Sequence, residues 1–88
     1  LVRGEFEFLY AGLEHMGINY FPSEANFFLI DVQDDAEAFF EDMLRQGVIV
    51  RSMASYGYPE YIRINAGTRE ENRRFLAAFE KVMRQRKG

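Results

Sequence analysis

The sequence is 88 residues long, 48% hydrophobic and 28% charged, with a net charge of −3 and no cysteine. That length makes one domain with one modest core, and that composition excludes a disordered chain. A disulfide framework and a cysteine metal site are excluded, and the acidic balance argues against a partner with a phosphate backbone.

Residues from Arg3 to Met16 read as a helix, because Phe6, Leu9, Tyr10, Leu13 and Met16 recur at helical spacing, and Gly17 is its stop. Phe8 falls off that stripe. The chain opens on Leu1 and enters this pattern almost at once, which suggests a piece of a longer protein. Ile18 to Ser23 reads as a connector that Pro22 keeps from being helical. The stretch from Asn26 to Val32 is apolar at nearly every position, as in a strand covered on both faces.

Asp34, with Glu37 three residues on, marks the start of a second helix that runs to Gln46. Ala36, Phe39, Phe40, Met43 and Leu44 form its apolar stripe, and Gly47 ends it. Val48 to Val50 is a short second strand with Arg51 leaving its end. Ser52 to Pro59 is a loop punctuated by Gly57 and Pro59. Tyr61 to Asn65 alternates, so Ile62 and Ile64 face a core while Tyr61, Arg63 and Asn65 face away. Gly67 allows a sharp turn, and Thr68 with Glu71 makes a capping box for a last helix from Arg69 to Arg84. That helix buries Phe75, Leu76, Phe79, Val82 and Met83 and ends in a basic tail of Arg84, Arg86 and Lys87, suited to a helix C-terminus.

The order α-β-α-β-β-α predicts a two-layer α+β domain, with helices on one face of a small, three-stranded, mostly antiparallel sheet. The second helix is expected to cross over, right-handed, between the first two strands. The third strand is expected to return antiparallel, in the middle of the sheet.

Catalytic constellations are missing from the residues themselves. His15, the one histidine, reads as a surface residue, since no triad or ligand partners accompany it. The adjacent carboxylates Glu41 and Asp42, and Glu70 and Glu71, point about 100° apart on helices and read as solvated or capping groups. Tyr56-Gly57-Tyr58 holds a single glycine, so it is no phosphate-cradling loop. Arginines remain. Arg63, mid-strand and just ahead of the Gly67 turn, is placed to hold a carboxylate bidentately, and Arg51 is either a second anion ligand or a plain surface charge. No apolar run reaches membrane-spanning length and no charged-then-apolar leader opens the chain, so no membrane partner is expected, and the lack of cysteine fits a cytoplasmic location.

Gly47-Val-Ile-Val-Arg51, Ser55-Tyr-Gly-Tyr-Pro59 and Tyr61-Ile-Arg-Ile-Asn-Ala-Gly-Thr-Arg-Glu-Glu-Asn72 together resemble the C-terminal small domain of histidinol-phosphate aminotransferases, and Pro22-Ser-Glu-Ala-Asn-Phe27 is similar to that domain's first strand. The resemblance covers essentially residues 1–88. The block around Arg63 is shared more widely among fold-type I pyridoxal-phosphate enzymes, whereas its combination with the other two stretches is more specific. The resemblance implies a parent that transfers an amino group between histidinol phosphate and 2-oxoglutarate, with glutamate as the other partner, in histidine biosynthesis. It implies pyridoxal phosphate as the parent's cofactor, a large domain of the same polypeptide that holds it, and a homodimer. It implies that Arg63 binds the substrate carboxylate and that Arg51 lies near the phosphate or distal group. The cofactor lysine is not here, since Lys81 and Lys87 match no Schiff-base motif, so the chain alone is expected to bind no cofactor, to carry no catalytic residue and to be inactive. The small domain of threonine-phosphate decarboxylase, or of another class I/II aminotransferase, is the enzymatic alternative. A stand-alone binding module, of single-stranded RNA for instance, or a purely structural domain is the alternative of another kind. Against RNA stand the negative charge, the lack of an RNP1 pattern and an outward set with one aromatic, so no nucleic acid is expected.

Overall fold

The computed structural model describes residues 2–23 and 26–87. Helix α1 spans Val2–His15, and Leu9 and Leu13 on its apolar stripe are fully buried. Four strands follow: β1 (Tyr20–Phe21), β2 (Phe27–Asp31), β3 (Arg51–Ser52) and β4 (Tyr61–Asn65). Helix α2 (Ala36–Arg45) lies between β2 and β3, and helix α3 (Arg69–Lys87) follows β4. A short 3₁₀ turn, Ala54–Tyr56, sits in the loop before β4.

The strand order is β1-β2-β4-β3, with antiparallel pairing throughout. β4 therefore lies between β2 and β3, in the interior of the sheet as expected of the third strand, and β2 and β3 run parallel to each other. Register puts Tyr20, Ile30, Ile62 and Ser52 in one row across the sheet, and Phe21, Leu29, Arg63 and Arg51 in the next. Directly opposed residues share a face and successive rows alternate faces. Phe28, Ile30, Ile62 and Ile64 join Leu9 and Leu13 of α1, Phe39 and Met43 of α2, and Phe75, Phe79 and Val82 of α3 in one core. All three helices thus pack on one face of the sheet, and the Arg63 row lies on the other.

Several expectations need correction. The sheet has four strands, not three. Tyr20–Phe21 falls in the expected connector because two residues carry no readable period. Tyr20 pairs with Ile30 and stacks on Tyr10 with centroids 4.5 Å apart. The pairing expected at Val48 to Val50 occurs instead at Arg51–Ser52. Gly47, at φ +81°, turns the chain so that the Val48 amide bonds back to the Met43 carbonyl at 3.0 Å, and Val50 is drawn into the core. The chain reaches β4 only at Arg51. The cap of α2 is Asp35, whose Oδ1 accepts from the amides of Glu37 and Ala38, not Asp34. Leu44 is 47% exposed and lies off the buried stripe. Glu24 and Ala25 of the Pro22–Phe27 stretch, Leu1 and the side chain of Lys87 lie outside the described residues.

Asp34 is not the cap because Arg86 holds it. Arg86 Nε donates to Asp34 Oδ2 at 2.6 Å and its Nη1 donates to Asp42 Oδ2 at 2.6 Å, clamping the end of α3 to the approach and the last turn of α2. The Arg86 hydrogen bond holds the Asp34 carboxyl below the usual aspartate range. A depressed folded-state pKa gives stability that is present above the unfolded value, about 4, and lost as pH falls through the folded one. Arg86→Ala is expected to cost about 1 kcal/mol at neutral pH, since Asp34 loses its charged donor but is partly solvated and Asp42 keeps Arg45. The loss should shrink below about pH 4, as urea melts of both forms across pH will show.

Candidate functional site

The open face of the sheet is built from the outward residues of β2 and β4. Phe21 lies 5.5 Å from Tyr61, and Tyr58 lies 5.8 Å from Tyr61, ring centre to ring centre. Phe21 is 44% exposed and Tyr58 52%. Leu29 stands between Phe21 and Arg63 in the same row. An aromatic strip therefore runs toward a pair of arginines.

Arg63 is half-buried, and its guanidinium carbon lies 4.3 Å above the Phe27 ring. Its Nε is buried and has no hydrogen-bond partner among the described residues. Arg51 is directly opposite on β3 and exposed. Like charges opposed across an antiparallel pair repel. No carboxylate of the described residues pairs with either arginine, although Arg45, Arg69, Arg84 and Arg86 all have acidic partners. Two cations and an unpartnered buried donor thus stand on one face of the sheet. A stacked guanidinium keeps its in-plane fork free for a carboxylate.

Beyond Arg51 the lead-in to β3 parts from β4. The fork opens into a groove of about 420 Å³, lined among others by Val48, Ile49, Arg51, Arg63, Asn65 and Arg74. Ile49 is 78% exposed at its rim. Arg74 is a third cation there that the sequence reading passed over. Nothing in its own stretch of α3 signals that role, which depends on residues 47–50 lying alongside.

The opposite wall is the turn between β4 and α3. The capping box is made in full: the Thr68 amide donates to Glu71 Oε1 at 2.9 Å, and the Glu71 amide donates to Thr68 Oγ1 at 3.1 Å. A Cβ on Gly67 would meet the Glu71 carboxylate and push it off the Thr68 amide, so glycine here leaves room for the cap, while its φ is not positive and the turn itself does not demand it. Asn72, 3% exposed, grips the Gly67 peptide at both ends: the Gly67 amide donates to Asn72 Oδ1 at 3.0 Å, and Asn72 Nδ2 donates to the Gly67 carbonyl at 3.2 Å. Asn72 Nδ2 also donates to Glu5 Oε1 of α1 at 2.9 Å, and Arg69 Nε donates to the same oxygen at 2.9 Å. Those bonds, Arg69 first, hold the Glu5 carboxyl below the usual glutamate range. Phe8, off the core stripe of α1, is covered by the Arg69 guanidinium 4.2 Å above its ring.

The remaining candidates fall elsewhere. His15, Glu41 and Glu70 are exposed, Asp42 serves Arg45 and Arg86, and Glu71 caps α3. Among the described residues no acidic or histidine cluster has metal-binding geometry, and no helix is long and apolar enough to cross a membrane. Lys81 is exposed on α3 and lines a shallow depression with Gln46 and Ala77, apart from the groove of Arg63.

The sequence profile of the family Aminotransferase class I and II matches residues 2–79. A histidinol-phosphate aminotransferase of Desulfotalea psychrophila is 45% identical over 83 residues, which is 94% of this chain and 22% of that protein. One of Symbiobacterium thermophilum is 42% identical, over 94% of this chain and 23% of its own length. The chain thus spans less than a quarter of the length of these relatives. Among solved structures, a Thermus thermophilus aspartate aminotransferase mutant superposes with a TM-score of 0.84 at 26% identity, over 92% of this chain and 24% of its own. The histidinol-phosphate aminotransferase of Clostridium acetobutylicum superposes at 0.85, over 96% of this chain and 27% of its own; at 20% identity it speaks for the fold alone. With the profile matched over nearly its whole length, the chain belongs to the class I and II aminotransferase family.

Proposed function

We propose that residues 1–88 form the C-terminal small, substrate-closing domain of a histidinol-phosphate aminotransferase, a cytoplasmic homodimer that moves an amino group between histidinol phosphate and 2-oxoglutarate in histidine biosynthesis. The observation that carries the reading is Arg63: a stacked guanidinium with a buried, unpartnered Nε on the sheet face opposite the helices. In this reading Arg63 holds the carboxylate of glutamate or 2-oxoglutarate, and Arg51 beside it meets the phosphate or distal group. The aromatic strip of Phe21, Tyr58 and Tyr61 abuts the large domain of the same polypeptide. The choice among class I and II activities rests on relatives that carry the histidinol-phosphate name at 42–45% identity.

Pyridoxal phosphate in the parent supplies the electron sink for amino transfer. The residues described here do not fit it: Lys81 stands exposed on α3 in a depression apart from Arg63, and Lys87 matches no Schiff-base motif. The large domain holds the cofactor, and this chain contributes binding, orientation and closure. The test is an assay of the whole polypeptide with histidinol phosphate and 2-oxoglutarate, and separately with threonine phosphate. Amino transfer in the first and no decarboxylation in the second is the expected result. The 88-residue chain mixed with pyridoxal phosphate should show no turnover and no single borohydride-reducible lysine. A stoichiometric adduct with turnover would sink the proposal.

A further inference from the structure

We infer that Asn72, held in place by Glu5, is a positioning residue that fixes the end of β4 and so sets where the Arg63 guanidinium stands. This rests on the reading of Arg63 as a carboxylate anchor. The physical case begins with an asymmetry in how β4 is held. On its β3 side the ladder stops at Arg51↔Arg63, and Val48 to Val50 part from the strand to open the groove. On its β2 side the ladder continues to Phe27↔Asn65. The last residues of the strand are thus paired on one edge only, and their next restraint is the turn at Gly67.

Asn72 supplies that restraint. Its amide matches the Gly67 peptide group in both directions, donor to acceptor and acceptor to donor. It is the one buried polar side chain of the described residues, so the bonds are shielded from competing water. Glu5 takes its remaining N–H and ties the group to α1. A shift at Gly67 passes along the chain through Asn65, and Asn65 is the cross-strand partner of Phe27. Phe27 is the ring on which the Arg63 guanidinium lies. A displaced strand end therefore moves both the guanidinium and its platform. Misplacing a binding group by about an ångström costs on the order of a hundred-fold.

The whole polypeptide carries the test, read through the side-chain Nε–H resonances of its arginines. The probe is 2-oxoglutarate, titrated into the parent sequence, Asn72→Asp, Asn72→Asp with Glu5→Gln, and Arg63→Ala. In the parent, the Arg63 Nε–H should shift with added 2-oxoglutarate, and Arg63→Ala should abolish the saturable binding. Asn72→Asp keeps an acceptor for the Gly67 amide but faces Glu5 with a second carboxylate. It should weaken binding about ten- to hundred-fold, the range typical of lost supporting hydrogen bonds, while the backbone spectrum stays folded. Adding Glu5→Gln turns the clash into an amide-to-carboxylate bond but leaves the Gly67 carbonyl without its donor, so it should restore part of the affinity. A purely structural Asn72 would lower the melting temperature and leave the affinity of folded molecules unchanged, which would overturn the inference. Loss that Glu5→Gln fails to rescue even in part would overturn it too. If Asn72→Asp does not fold, Glu5→Ala takes its place, with a several-fold loss expected and parental affinity refuting. If the parent shows no Arg63 response and Arg63→Ala changes nothing, the carboxylate-anchor reading itself falls, a result distinct from the others.

Discussion

Ile62→Asp is expected to leave the chain without a cooperative thermal transition, while Arg63→Ala, one residue along, should melt within about 1 kcal/mol of the parent. The two positions differ only in which way the strand points them. Ile62 is fully buried between Ile30, Ser52 and the helices. Removing its side chain costs about 2–5 kcal/mol in cavity and lost transfer energy. A carboxylate with no partner there adds several more, or forces its own protonation. A domain of this size holds on the order of 4–13 kcal/mol in total, so the sum rivals or exceeds it. Arg63 is on the opposite face, and truncating it loses the contact with Phe27, while the unpartnered Nε goes with it. Comparable destabilisation by the two substitutions would mean that Arg63 is a structural residue. Circular-dichroism melts of the two variants and the parent suffice.

Those two positions also show why so much of this fold was legible. β4 and the turn after it carry two signals that need only neighbours in sequence: strict alternation from Tyr61 to Asn65, and a capping box whose partners are three residues apart. Both are found as expected, and β4 also takes the interior place expected of it. What was lost depended on contacts distant in sequence. Asp34 and Asp35 are equally good caps by type, and Arg86, 52 residues away, decides between them by occupying Asp34. Val48 to Val50 has strand composition, but the α2 terminus holds the Val48 amide and turns Val50 into the core before the stretch can pair. β1 is too short to show a period. At the site, Arg63 and Arg51 could be named from their place in strands. That they oppose each other, that Phe27 lies under Arg63, and that Arg74 joins the groove are facts of register and packing. Asn72 read as part of a helix, and its grip on Gly67 and Glu5 is visible only when α1 and α3 are set side by side.

Arg63→Lys in the whole polypeptide should lower kcat/KM for glutamate or 2-oxoglutarate by about a hundred-fold or more. The charge is kept, so the loss measures geometry. A guanidinium lying on Phe27 offers two parallel N–H donors in a fixed plane, and an ammonium on a flexible stem cannot reproduce that fork. Leaving a closed-in carboxylate without its matched partner costs on the order of 3–5 kcal/mol, and each 1.4 kcal/mol is about a decade. Arg51 will not compensate, since it stands exposed on an edge strand of two residues, with no acidic partner among the described residues to orient it. The cofactor should bind as before, because its proposed seat is on the large domain. The half-reaction with histidinol phosphate, an amine without a carboxylate, should suffer less than the half-reaction with glutamate. Stopped-flow traces of the two half-reactions separate the cases. Equal losses in both would assign Arg63 to closure of the domain in general, and an unchanged rate with glutamate would end its candidacy as the carboxylate anchor.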